Sequence, residues 1–192
     1  MSEPTDLELV TSAQGGDRVA MDRLLRRHLP RITAVCRRLT GNEADANDAT
    51  QEALLGIVRG LPRYDSRASF GTWAYRIATN ASLDELRRRR RRPATSLDDP
   101  ATGWEPTTPG NHERSVEARM TVQDALGSLP EEFRAAVVLR EIADLDYQEI
   151  SEILAVPVGT VKSRIARGRS LLATALGNQS AAGERPTDEL ER

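Results

Sequence analysis

The sequence predicts an all-α protein, built as two small helical domains joined by a flexible linker. Apolar residues recur at helical spacing, as in Ile32, Val35, Cys36 and Leu39, and Cys36 therefore reads as a small core residue. Residues 93–114 carry four prolines and two glycines without any such period, which is typical of a linker. Aromatic residues make up only 4% of the chain, which suits the Leu/Ala/Val cores of small helical domains. The predicted boundaries are a first domain at 1–92, the linker at 93–114, a second domain at 115–177 and a disordered tail at 178–192.

The first domain begins with three predicted amphipathic helices. Thr5 or Asp6 caps the first of them, and Asp17, after a pair of glycines, caps the second. Pro30 suits the first turn of a third helix that runs to about Leu39, because the missing amide of proline has no partner there in any case.

Two longer helices complete this domain. One runs from Asn42 to Leu61 with an acidic first half, which complements the positive end of the helix dipole. After a polar loop, Ser69 caps a helix on which Phe70 and Trp73 hold the core stripe. A polar stripe at the same helical spacing is made of Arg76, Asn80, Asp84, Arg87 and Arg88. Six consecutive arginines, Arg87–Arg92, end the helix; they form either a solvated tail or, if this helix reads DNA, a clamp for phosphates.

The second domain is predicted to start with a helix from Val116 to Leu126. Ser128 and Glu131 then form a capping arrangement for the next helix. Asp144 either caps the helix that follows or lies in the turn before it.

The stretch from Leu145 to Leu172 has the pattern of a helix-turn-helix. Ile150, Ile153 and Leu154 form one apolar face, Pro157 breaks the helix, and Thr160 is the expected N-cap of the next one. The outer face of that second helix is basic and holds short polar groups, with no acid between Val156 and Asn178. A DNA recognition helix needs cations that contact phosphates and compact polar groups that approach base edges. The alternative interpretation of this helix is a solvated basic helix in an ordinary bundle. The candidate DNA-contacting residues are Thr160, Lys162, Ser163, Arg164, Arg167 and Arg169.

Several functional classes receive no support from the sequence. The two histidines, single cysteine and missing Gly-rich phosphate loop offer no catalytic constellation, so we expect neither an enzyme nor a cofactor or metal. No apolar run reaches the roughly 18 residues of a membrane span, and the N-terminus is unlike a signal peptide, so a cytoplasmic protein without membrane insertion is expected. The net charge of −2 does not indicate nucleic-acid binding, but the clustering of the arginines does.

The helix-turn-helix resembles a known family. Pro157–Arg164, preceded by Tyr147–Ser151, closely resembles region 4 of the extracytoplasmic-function (ECF) sigma factors of the sigma-70 family, and Leu129–Arg140 resembles the helix before it. LuxR-type regulators carry a similar motif, so the helix-turn-helix alone does not distinguish the two families. The N-terminal half of the chain has to distinguish them. The resemblance implies that the −35 promoter element is read at Lys162, Ser163, Ala166 and Arg169.

The N-terminal half resembles sigma region 2. Asp45–Ala53 is similar to the helix that binds the clamp helices of the polymerase β′ subunit, which implies polymerase contacts at Asp45, Asp48, Gln51 and Glu52. Asn47 and Ala49 depart from the usual pattern. Ser69–Asn80 is similar to the segment that recognises and melts the −10 element, and the resemblance implies a pocket for a flipped base at Tyr64 and Asn80.

The resemblance implies an ECF sigma factor that carries no chemistry of its own. Its partners would be bacterial core RNA polymerase (the β′ clamp helices and the β flap), promoter DNA and an anti-sigma factor. The alternative is a stand-alone helix-turn-helix regulator with a helical partner-binding domain, which would bind a duplex site without polymerase.

Overall fold

The computed structural model describes residues 3–91 and 122–183, and their secondary structure is entirely helical. We call helices α1–α4 the N-terminal unit and helices α5–α8 the C-terminal unit. The predicted linker at 93–114, the first part of the helix predicted from Val116, and residues 184–192 lie outside the described residues.

The N-terminal unit is a bundle of four helices. They are α1 (Asp6–Gln14), α2 (Arg18–Thr40), α3 (Glu43–Gly60) and α4 (Phe70–Arg91), with a short 3-10 turn at Leu61–Arg63 before the loop that leads to α4. The predicted caps are confirmed: Thr5 forms a capping box with Glu8, Asp17 accepts from two amides of α2, and the Ser69 hydroxyl accepts from Thr72 N.

The separate helix predicted to begin at Pro30 is wrong, because α2 runs through this proline without a break. Leu24 precedes Pro30 and Ile32 and Val35 follow it, and all three are buried on the same side of α2. Their burial outweighs the hydrogen bond that an internal proline removes from the helix. The end predicted at about Leu39 agrees with the structure, where α2 ends at Thr40 and Gly41 follows with a left-handed backbone, φ 87°.

The C-terminal unit contains α5 (122–128), α6 (Glu131–Glu141), α7 (Tyr147–Leu154) and α8 (Val158–Gly183). The helix-turn-helix is α7 and α8, and Ala155 makes the turn in the left-handed region with φ of 52°. The apolar residues expected in its core, Ile150, Val161 and Ile165, are at most 2% exposed.

Two predicted caps of this unit need correction. Ser128 does not cap α6: Pro130 takes the N-cap position, and the Ser128 hydroxyl donates to Ala125 O instead. Asp144 lies in the turn before α7, as one of the two alternatives predicted, and Asp146 forms the capping box with Glu149. Thr160 lies inside the first turn of α8 and is therefore not its N-cap. The helix already begins at Val158, directly after Pro157. At its other end, α8 continues past Gly177.

Glycines set the closest helix contacts in both units. A Cβ on Gly56 or Gly60 of α3 would lie 2.9 Å from the side chain of Ile77 or Trp73 of α4. A Cβ on Gly168 of α8 would lie 2.6 Å from Val137 Cγ2 of α6. Such glycines let two helix backbones approach more closely than any other residue allows. Among the described residues, no helix is both long and apolar enough to span a lipid bilayer.

Candidate nucleic-acid interface

The polar stripe predicted on α4 exists as a continuous exposed face. Arg76, Asn80, Asp84, Arg87 and Arg88 are all exposed. Asn80 and Asp84 each follow four residues after the one before, and Arg87 and Arg88 lie three and four residues after Asp84. The opposite side of α4 is core: Phe70 is 3% exposed and Ala74 and Ala78 are fully buried, whereas Trp73 is half-buried.

An aromatic-walled cavity of about 360 Å³ opens beside the start of this face. The Tyr64 ring centroid lies 4.8 Å from that of Trp73 and 6.1 Å from that of Phe70. The Tyr64 hydroxyl donates to Ala68 O at 2.6 Å, which fixes the ring within its loop. Burial raises the pKa of Tyr64, so this hydroxyl is a neutral donor across the physiological range. With Arg76 on the rim, the cavity offers a flat surface for stacking and a cation for phosphate.

Asn80 does not line this cavity. It lies in the next groove along α4, which it shares with Ile77, Asp84 and Arg88 and with Glu52 of α3. Tyr64 and Asn80, predicted to form one pocket, therefore belong to two neighbouring depressions on the same side of the N-terminal unit.

The arginine run at the end of α4 is matched by acids. Arg87 pairs with Asp84 at 2.8 Å, and Arg88 pairs with the buried carboxylate of Glu85. Arg89 reaches Asp45 of α3 at 3.4 Å. Arg90 pairs at 2.8 Å with Glu131, which belongs to the C-terminal unit.

The outer face of α8 presents the predicted cations to solvent. Lys162, Ser163, Ala166, Arg167 and Arg169 are exposed, and Thr160 and Arg164 are half-buried. On the inner side Val161, Ile165 and Gly168 pack against the rest of the unit. The sequence pattern therefore placed the two faces of this helix correctly.

Several of these side chains are held in position by α6 and α7. Arg164 pairs with Glu132 at 2.9 Å, and Arg169 Nε donates to Glu141 Oε1 at 3.0 Å. The hydrogen bonds that Arg169 donates to Glu141 raise the pKa of Arg169, which stays fully charged. The Lys162 ammonium lies 5.6 Å from the centroid of the Tyr147 ring, within cation–π range. These contacts reduce the rotamer freedom that would be lost on binding DNA.

The polar side chains predicted to contact polymerase lie on the outer side of α3. Asp48, Gln51 and Glu52 are exposed, and Leu55 and Val58 extend the same surface with 45% and 42% of their area exposed. Asp45 differs from the other three. It is half-buried, and Asn42 and Arg89 both contact its carboxylate.

Sequence reasoning missed two positions that shape the site. Glu85 is a charged residue with only 2% exposure beneath the arginine run. Arg134 donates to Leu39 O at 2.9 Å and to Gly127 O and Leu129 O, thereby joining both units. The helical period gives a signal for Glu85, which lies on the buried side of α4, but no local pattern marks Arg134.

Two family models match the two units. The Sigma-70 region 2 model matches residues 24–92, and the Sigma-70 region 4 model matches residues 119–172. The chain is 39% identical over 184 residues to the ECF RNA polymerase sigma factor SigE of Mycolicibacterium smegmatis, covering 93% of this chain and 70% of that protein. It is 38% identical over 175 residues to SigM of Mycobacterium tuberculosis, covering 91% of this chain and 86% of that one.

Solved structures show the same fold. CnrH in complex with the cytosolic domain of CnrY has a TM-score of 0.67 at 25% identity, covering 88% of this chain and 96% of that chain. The sigma factor RpoE in complex with the anti-sigma factor NepR from Bartonella quintana has a TM-score of 0.67 at 22% identity, covering 81% and 96%. With both units matched by sigma-70 models and with relatives above 30% identity over most of their length, the chain belongs to the ECF RNA polymerase sigma factors of the sigma-70 family.

Proposed function

We propose that this ECF sigma factor binds bacterial core RNA polymerase in the cytoplasm and directs it to −10 and −35 promoter elements, where it promotes DNA opening. Residues 1–92 serve as the −10 and polymerase-binding domain, 93–114 as the linker and 115–177 as the −35 domain. The observation that carries this proposal is the pair of exposed basic faces, one on α4 and one on α8, on the two family-matched units.

The −10 element is assigned to α4 and the loop before it. A base released from the stack stacks on Tyr64, while the Asn80 amide hydrogen-bonds to a base edge. Stacking on an aromatic contributes about 1–3 kcal/mol per base, which offsets the few kcal/mol spent on unstacking. DNA can therefore be opened by binding energy alone, without ATP. Arg76, Arg87 and Arg88 contact the phosphates, and Asp84 orients Arg87 through their 2.8 Å ion pair.

The −35 element is assigned to α8 in the major groove. Lys162, Ser163 and Arg169 approach base edges, and Thr160, Arg164 and Arg167 contact phosphates near the start and along the flank of the helix. Ala166 is exposed and offers only a methyl group, which suits apolar contact with a thymine methyl.

Polymerase binding is assigned to the exposed side of α3. Asp48, Gln51 and Glu52 face the β′ clamp helices, and Asp45 joins them once Arg89 moves to a phosphate. The C-terminal unit contacts the β flap. CnrH and RpoE were solved with CnrY and with an anti-sigma factor, respectively, and we extend this form of control by an anti-sigma factor to the present chain.

Run-off transcription with core bacterial RNA polymerase on a genomic promoter library tests the proposal. Transcripts are expected only when the protein is added, and Asn80→Ala or the pair Lys162→Ala/Arg169→Ala should abolish most of them. Because a single good base contact is worth about 1–3 kcal/mol, each change should lower the yield by roughly 10-fold or more.

Arg26→Ala is the matched control, since Arg26 is 77% exposed on α2 and forms an ion pair with Asp22 of the same helix. It should transcribe like the wild type. A duplex site bound by the protein alone, with no transcript in the presence of polymerase, would instead support the stand-alone regulator.

A further inference from the structure

Glu85 of α4 is a charged residue that the fold buries. Only 2% of its surface is exposed, and among the described residues of both units it is the one charged residue in the core. The Ser82 hydroxyl, one turn earlier on α4, donates to Ala78 O at 2.8 Å and therefore has no second proton for the carboxylate. The ion pair with Arg88 compensates the buried charge.

Stability alone does not account for a carboxylate at this position. Removing a carboxylate from water carries a large desolvation cost, which a salt bridge offsets only in part. An apolar side chain of similar volume is often at least as stabilising. The charge of Glu85 therefore has to be explained by what it does to Arg88.

Arg88 lies in the groove that contains Asn80. This groove has a volume of about 730 Å³, and Glu52 and Ile77 line it together with Asn80, Glu85 and Arg88. The Arg88 side chain is half-exposed, whereas the carboxylate to which it is paired is enclosed by the core. The pair therefore connects the core of the N-terminal unit with the surface assigned above to the −10 element.

Arg87, the neighbouring arginine, is held more weakly. Its partner Asp84 lies on the surface, and 72% of the Asp84 side chain and 60% of the Arg87 side chain are exposed. Water screens such a pair, and the aspartate can itself rotate. The Glu85 carboxylate cannot turn into solvent because the core surrounds it. Arg88 is therefore tied to a fixed point, while Arg87 is tied to a mobile one.

We propose that Glu85 is a positioning residue for recognition of the −10 element. Its carboxylate engages one part of the Arg88 guanidinium and aims the remaining donors along the groove. There they meet a phosphate close to the base that Asn80 reads. Glu85 itself does not touch DNA. The proposal rests on the assignment of α4 as the −10 reader.

The sign of the effect separates positioning from charge. A carboxylate near bound DNA repels phosphates, so its removal should tighten binding if charge alone mattered. Positioning predicts the opposite, because Arg88 beside a neutral residue 85 regains rotamer freedom that it loses again when DNA binds. We therefore expect Glu85→Gln, which keeps the shape of the side chain, to weaken binding of −10 DNA about three- to tenfold.

The assay uses holoenzyme assembled from the full chain and core bacterial RNA polymerase. Anisotropy of a fluorescent single-stranded −10 fragment, taken from a promoter recovered in the transcription experiment, gives the dissociation constant. Affinity of the Glu85→Gln holoenzyme equal to or above that of the wild type would overturn the proposal. Asn80→Ala shows which assignment has failed in that case. If Asn80→Ala weakens binding, positioning alone is wrong; if it does not, the −10 assignment is wrong as well.

Arg88→Ala tests whether Glu85 acts through Arg88. This change should weaken binding by itself, and adding Glu85→Gln to it should cause no further loss, since the two changes interrupt one interaction. An equal loss from Glu85→Gln in both backgrounds would overturn positioning and place the role of Glu85 elsewhere in the fold.

Glu85→Met separates DNA binding from folding. This apolar side chain should leave the melting temperature unchanged or raise it, yet weaken DNA binding as much as Glu85→Gln does. A melting temperature that falls together with the affinity across the Glu85 variants would make the role structural. The charge control is Asp22→Asn, which removes one carboxylate from an exposed position on α2. It should bind DNA like the wild type, and a matching loss there would also overturn the proposal.

Discussion

Gly168 is a residue at which α8 closely approaches α6. An added Cβ would lie 2.6 Å from Val137 Cγ2 and 3.2 Å from Phe133 O, and the latter is backbone that cannot rotate away. We expect Gly168→Ala to lower the free energy of unfolding by about 1–3 kcal/mol, as overpacked cores do. Urea denaturation followed by circular dichroism measures this change in the free energy of unfolding.

Gly159→Ala, on the same helix, is the comparison. Nothing lies within 4 Å of its added Cβ, so the better helix propensity of alanine should leave stability unchanged or raise it by about 0.5–1 kcal/mol. Equal losses for the two variants would contradict the close approach of α6 and α8.

Asp6 ties α1 to α2. It accepts from Arg27 at 2.7 Å and lies 2.7 Å from His28 Nε2. Partial burial raises the pKa of Asp6, but the bonds to Arg27 and His28 outweigh this, so the pKa lies below the ordinary range of an aspartate.

A lowered folded-state pKa means that the stabilisation is present at neutral pH and is lost as the pH falls through the folded value. Asp6→Asn should therefore cost about 1 kcal/mol near pH 7, after allowance for the partial exposure of the carboxylate. The cost should fade below about pH 4. Thermal unfolding at successively lower pH checks it; a cost of Asp6→Asn that does not decrease at all on acidification would exclude the carboxylate as its source.

Helix α2 is the element whose continuity is least expected from its sequence. Pro30 is exposed in the middle of it, where it removes one hydrogen bond of the helix while the buried residues around it hold the helix together. We expect Pro30→Ala to stabilise the chain by about 1–2 kcal/mol, less than the full propensity difference because proline also restricts the unfolded chain. Pro157→Ala, directly before α8, should bring no such gain. A destabilised Pro30→Ala in a thermal melt would show that proline suits the native backbone.

Local signals predicted the helices and most of their caps, because a cap depends on a few neighbouring residues, as at Thr5, Asp17 and Ser69. The two faces of α8 followed from helical periodicity for the same reason. The unbroken α2 did not follow, since it depends on packing against other helices. Arg134 could not be found at all, because the carbonyl it contacts at Leu39 is 95 residues away in the chain.

The whole molecule holds its two units together partly through charge. The Arg90–Glu131 pair has 70% and 25% of its side chains exposed and is open to screening. Raising the salt from about 0.05 M to about 0.5 M shortens the range of such interactions severalfold. Small-angle scattering should therefore show a larger radius of gyration at high salt, and Glu131→Gln should begin closer to the expanded value. If the radius of gyration of the wild type did not change with salt, the contact between the units would depend on the hydrogen bonds of Gln123 and Arg134 to backbone carbonyls.

Arg134 donates to three carbonyls, and two of them, Gly127 O and Leu129 O, belong to its own unit. Separation of the units breaks only the bond to Leu39. The guanidinium then keeps its orientation and needs no search among rotamers before it meets the end of α2 again. The return to the docked form should consequently be fast, limited by diffusion of the tethered units. Reassociation of the two units would then take only the time that two linked domains need to collide.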